Sequence, residues 1–83
     1  MKLTYDPRYN IAYIRLRESR ADVESIPVSA ELIVDMAPNG TVYGIELLNA
    51  NQQLLQEGTG GLVVVNEANG ESAELPLAIS EAA

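Results

Sequence analysis

The stretch Glu31 to Leu48, ELIVDMAPNGTVYGIELL, most constrains what this chain can fold into. Two alternating apolar runs, Leu32-Ile33-Val34-Asp35-Met36 and Thr41 to Leu48, flank Pro38-Asn39-Gly40. Asn-Gly between such runs is a strong hairpin signal, because both residues accept the positive φ of a tight turn. The stretch therefore predicts a long β-hairpin, and with it an antiparallel sheet. An even number of loop residues puts Leu32, Val34 and Met36 on one face with Tyr43, Ile45 and Leu47. Glu31, Asp35, Gly44 and Glu46 then share the other face. A three-residue loop slips the pairing by one and mixes the two sets, so the pattern predicts a loop of two or four. Pro38 lacks the N–H that closes a two-residue turn, which favours four. Against that, Ala37 precedes a proline and is pushed away from helical geometry.

Other strands follow from alternation. Leu3-Thr4-Tyr5 reads as a short first strand, and Asp6-Pro7-Arg8-Tyr9-Asn10 as a turn with Asp6 bonding the backbone ahead of it. Ile11 to Arg17 is the second strand: Ala12, Ile14 and Leu16 lie on one face, Ile11, Tyr13, Arg15 and Arg17 on the other. After a polar loop, Glu18 to Ala21, a charged strand runs from Asp22 to Ile26, with Pro27 marking its end or an edge position. Asn49 or Asn51 can cap a short helix that Gly58 ends, and its Leu54 and Leu55 would cover part of the sheet. Gly58 to Gly61 reads as a joint. Leu62 to Val65 is a strand that Asn69-Gly70 turns back into Ala73 to Leu77. A two-residue loop there puts Leu62 and Val64 on one face with Ala73, Leu75 and Leu77. Pro76 confines the last strand to an edge, and fraying is expected from Ala78 on.

The expected fold is mainly β. It is an antiparallel meander of about five to seven strands with one short helix, its apolar face covered by the helix, the C-terminal hairpin, a dimer partner, or a combination. Residues 1–57 form the core and residues 58–83 an extension of the same domain.

Composition narrows the function. The 83 residues include no Cys and no His. Disulfides and thiolate metal sites are thus excluded, and so are the commonest general base and transition-metal ligand. Without His, Ser19, Ser25, Ser29, Ser72 and Ser80 have no partner for a Ser-His triad. Gly60-Gly61 does not open a helix after a strand, so it is no phosphate loop. No apolar run approaches the ~20 residues of a membrane span. The opening Met1 to Asp6 lacks the apolar core of a signal peptide, and a cytoplasmic location is expected. The net charge is −7 and very uneven. All five basic residues lie among the first 20 positions, and ten of the twelve acids follow with no base among them. Such asymmetry suits self-association or a basic protein partner, and argues against nucleic acid.

Particular residues carry a likeness. Tyr5-Asp6-Pro7, Ile11-Ala12-Tyr13-Ile14-Arg15-Leu16, Val34-Asp35 and Gly40-x-Val42-x-Gly44-Ile45-Glu46 together resemble a small bacterial family of unknown function, number twenty-two eighty-three in the DUF series. The likeness spans about Met1 to Leu55. It implies an acid just ahead of the Ala-x-Tyr-Ile strand, where this chain has Asn10. Some members are encoded beside small toxin-like proteins, so the resemblance makes an antitoxin role an expectation.

Two candidate sites stand out. Asp6, Asp35 and Glu46 form a candidate acidic site, since carboxylates can hold a hard cation or run hydrolysis. Tyr13, Arg15 and Arg17 form a candidate binding patch, with a cross-strand ladder against Asp22 and Glu24 as the plainer reading. Asp6 as a turn residue and Asp35 as a strand-end acceptor need no catalytic role, and no cofactor is expected. One strongly apolar sheet face with a single short helix to cover it is an association surface. The chain is expected to form a two-fold homodimer and to act as a non-catalytic interaction module, antitoxin-like in binding a basic partner. The alternative is a small carboxylate enzyme or a cation- or ligand-binding protein.

Overall fold

A computed structural model describes residues 1–18, 22–55 and 61–78. The elements run β1 (Lys2–Asp6), β2 (Ile11–Arg15), β3 (Glu24–Ser29), β4 (Leu32–Met36), β5 (Val42–Leu48), α1 (Ala50–Leu55), β6 (Gly61–Val65) and β7 (Ser72–Pro76). The first five strands form an antiparallel sheet in the order β1-β2-β5-β4-β3, and β6 and β7 pair separately. The fold is mainly β with one short helix, as the alternation of the sequence leads one to expect. The polar loop before β3, the helix stop and joint at Gly58 to Gly60, and the fraying tail after Ala78 fall wholly or largely outside the described residues.

The register sorts the side chains by face. Leu3 opposite Ile14, Ile14 opposite Ile45, Ile45 opposite Val34 and Val34 opposite Ile26 make one apolar row across all five strands. Tyr5, Ala12, Leu47 and Leu32 make the next row along the same face. The opposite face carries Lys2, Thr4, Asp6, Tyr13, Arg15, Gly44, Glu46, Asp35 and Ser25.

The central hairpin departs from expectation at its loop. Ala37 N–H donates to Thr41 and Gly40 N–H donates back to Ala37, which leaves three loop residues, Pro38-Asn39-Gly40. Gly40 takes φ +90° and Asn39 Oδ1 accepts the Thr41 N–H. This is a type I turn closed by a left-handed residue, a common three-residue hairpin. The one-residue slip it causes is undone at once: Met36 faces Val42, Asp35 faces Gly44, and Tyr43 is the extra residue of a bulge. A bulge absorbs one residue and restores the phase. Leu32 and Val34 therefore still share a face with Ile45 and Leu47 despite the odd loop. The Tyr43 carbonyl accepts the N–H groups of both Leu16 and Arg17, at 3.0 and 3.2 Å.

The second hairpin is also corrected in its loop. Asn66 pairs with Glu71 around a four-residue loop, not two, so Leu62 faces Leu75 and Val64 faces Ala73. A shift of two residues leaves the faces as expected. Pro27 sits in β3, an edge strand, with a register shift just beyond it.

The core is thin. Among the described residues only Ala12, Ala37 and Ala50 are buried apolar side chains, and no large side chain is fully enclosed. Apart from the buried Ala12 and the exposed Ile26, the apolar rows of the sheet are half-buried. The β6–β7 ribbon leaves Leu62, Val63, Val64, Val65 and Leu75 exposed. An apolar hollow of about 530 Å³ lies between it and the sheet, lined by Leu3, Ile14, Leu62, Leu75 and Leu77.

Candidate functional site

The polar face of the sheet holds one ordered constellation. Tyr13 on β2 donates its hydroxyl to Asp35 Oδ2 on β4 at 2.8 Å. Ser25 on β3 donates to Asp35 Oδ1 at 2.7 Å. Tyr13 and Asp35 are not on neighbouring strands, since β5 runs between them. The ring bridges β5 by passing over Gly44, the residue opposite Asp35. A Cβ at Gly44 would lie 2.0 Å from the Tyr13 hydroxyl oxygen and 2.3 Å from Cζ. Glycine is thus demanded by close approach, the role a strand-interior glycine often marks. Burial pushes the Tyr13 phenol above its ordinary pKa, and the bond to Asp35 raises it further.

A second constellation ties the β1–β2 turn to the helix. Asn10, held at φ +56°, accepts the Asn51 N–H on its side-chain oxygen at 2.8 Å. Its amide donates to Asn51 Oδ1 at 2.7 Å and to Asn49 Oδ1 at 3.2 Å. Its carbonyl accepts the Ala50 N–H. The first free amides of a helix need acceptors, and α1 draws them from a residue about forty positions earlier. The side chains of Asn49 and Asn51, expected as caps, bond to Gln52 and Asn10 instead.

The expected acidic residues are spread over the sheet. Asp6 ends β1, at the far corner from Asp35, and is engaged by Arg8 through its backbone N–H, Nε and Nη2. Those bonds hold the Asp6 carboxyl below its ordinary pKa. Asp35 spends both oxygens on Tyr13 and Ser25. Glu46 lies opposite Tyr13 and Ile33, one polar-face position along β5 from Gly44. Among the described residues no three carboxylates are grouped to hold a metal ion.

The basic patch divides. Tyr13 leans toward Asp35, whereas Arg15 and Arg17 border a separate hollow with Lys2. The ladder of Tyr13, Arg15 and Arg17 against Asp22 and Glu24 is overturned by the strand order: β2 pairs with β1 and β5, and β3 lies at the opposite edge. The β4–β5 hairpin lies between them, with Tyr13 facing Glu46 and Arg15 facing Gly44. Asn10, Gly44 and Ser25 were not read as site residues. A glycine inside a strand, away from any turn, was the available signal for Gly44. Asn10 stood out only as a departure from the family pattern, and Ser25, whose partner Asp35 lies on another strand, left no signal.

These features define a small antiparallel β protein whose polar face is organised by a Tyr-Gly-Asp crossing and whose helix is clamped from the first turn. The chain belongs to the DUF2283 family, described as proteins of unknown function, whose family model matches residues 2–51. Tyr13, Asp35, Gly44 and Asn10 all lie within that match. Comparison with curated proteins and with solved structures finds no match. No helix among the described residues is long and apolar enough to cross a membrane.

Proposed function

We propose that the chain is a non-catalytic protein-interaction module that works as a two-fold homodimer, closed over the apolar sheet face. The observation that carries this is the surface left open by one copy. The chain exposes 6257 Å², whereas a folded monomer of its 8.9 kDa mass exposes about 4,800 Å². The radius of gyration is 14.3 Å, against about 12 Å for a compact domain of this length. Two copies that each hid the excess would bury about 2,900 Å² together, the size of an obligate interface. The rows Leu3-Ile14-Ile45-Val34-Ile26 and Tyr5-Ala12-Leu47-Leu32 supply an apolar surface for a self-complementary contact.

The polar face then stays free, and ten uncompensated acids beyond position 20 give the dimer a strongly negative surface. That charge suits a basic protein, as an antitoxin-like role requires. The carboxylate-enzyme reading draws less support, because Asp6 and Asp35 already spend their oxygens on internal donors.

Sedimentation equilibrium at micromolar concentration tests the assembly. A species of twice 8.9 kDa is expected, and a monomer alone refutes it. Ile26→Asp should return the chain to a folded monomer, since Ile26 is 38% exposed in one copy. Binding of a stoichiometric basic protein by the dimer, weakening as salt rises, tests the partner.

A further inference from the structure

We propose that Lys2, Arg15 and Arg17 form a binding site for a compact multivalent oxyanion, a phosphate or a polycarboxylate. Lys2 stands directly opposite Arg15 in the β1–β2 register. Like charges at facing positions on one side of a sheet repel. The fold brings Arg17 to the same place, because the Tyr43 carbonyl takes the N–H groups of both Leu16 and Arg17 and fixes the backbone there. All three cations border one hollow of about 240 Å³, together with Met1, Leu16 and Glu18.

Among the described residues no ion pair neutralises this group, although Glu18 borders the same hollow. Among the described residues the one ion pair is Arg8 with Asp6, although the chain has twelve acids. On its β5 side Arg15 faces Gly44, which has no side chain to offer it. The Tyr13 crossing thus has a second consequence: by demanding glycine at position 44, it leaves the Arg15 guanidinium without a cross-strand carboxylate. Two guanidiniums and an ammonium around a small hollow present forked donors and a point charge, the set that recognises a phosphate or clustered carboxylates. The net charge of −7 opposes every anion, so binding rests on local contact, and an anion with several charges can meet all three cations at once. The site lies on the polar face and does not rest on the dimer reading.

Titrating the full-length chain with sodium pyrophosphate, and separately with citrate, at low salt and with amide NMR shifts as readout, tests this. Saturable shifts at Lys2, Leu16 and Arg17 are expected, half-complete below about 1 mM. The double variant R15Q/R17Q, altered at exposed positions, should bind about tenfold or more weakly. Saturation by pyrophosphate alone assigns a phosphate ligand, and saturation by both assigns clustered charge of either source; each supports the site. Shifts that stay linear to about 10 mM, or that are unchanged in the double variant, overturn it. The wild-type titration decides the matter even if the variant fails to fold, and a monomer in sedimentation would leave it standing.

Discussion

Gly44→Ala is the sharpest probe of the polar face. Gly44 has an ordinary backbone φ, so a methyl group there meets steric resistance and no backbone strain. The new Cβ would lie 2.0, 2.3 and 2.8 Å from the Oη, Cζ and Cε1 atoms of Tyr13. Unstrained carbon contacts are about 3.5–4.0 Å, so the ring must withdraw by more than an atomic radius. Asp35 lies beyond the glycine, and a withdrawn ring cannot keep the 2.8 Å bond to it. A hydrogen bond to a charged group is worth about 1.5–3 kcal/mol. Replacing glycine by alanine in a strand returns about 0.5–1 kcal/mol. The net loss is therefore about 0.5–2.5 kcal/mol, a fall in Tm of roughly 2–20 °C for a domain of this size. Thermal and urea unfolding at fixed protein concentration would measure it. The reasoning is refuted by the background: with Tyr13→Ala already in place, Gly44→Ala should be neutral or stabilising. An equal loss in both backgrounds, a coupling below about 0.5 kcal/mol, would mean that the ring does not dictate the glycine.

Four further outcomes follow from the two constellations. Tyr13→Phe keeps the ring and removes the hydroxyl, and should cost about 1–3 kcal/mol, read by urea unfolding. The wild-type phenol has a raised pKa in the folded state, so its stabilisation is intact below the ordinary tyrosine value of about 10 and is lost as pH climbs through the higher folded value. Unfolding followed from about pH 9 to 12 should show that loss in the wild type, and Tyr13→Phe should lack this part of the alkaline decline. Asn10→Ala removes the acceptor of the Asn51 N–H and should cost about 1–2 kcal/mol with loss of helical circular dichroism. Asn10→Asp keeps the acceptor but not the two amide donations, and should fall between the alanine variant and the wild type.

Much of the fold was legible because strand structure is written at short range. A period of two in Leu32 to Met36 and in Gly44 to Leu48 assigns the faces, and the odd loop at Pro38-Asn39-Gly40 is reconciled with that pattern only by a bulge at Tyr43. The edge placement of Pro27 likewise follows from one missing N–H. The site was legible only in part. Tyr13 and Asp35 both stood out as residues, but in different groupings, because spacing along the chain does not tell which strands become neighbours.

The sequence by itself determined that the chain would be mainly β, roughly where most strands would lie, and that Leu32 and Val34 would share a face with Ile45 and Leu47. Tertiary structure alone decided that β5 lies beside β2, that Tyr13 reaches Asp35 over Gly44, and that Asn10 holds the start of α1. The physical reason is range: alternation acts between residues two apart, whereas these contacts join positions 22 to 41 residues distant that meet only once the whole sheet has chosen its strand order.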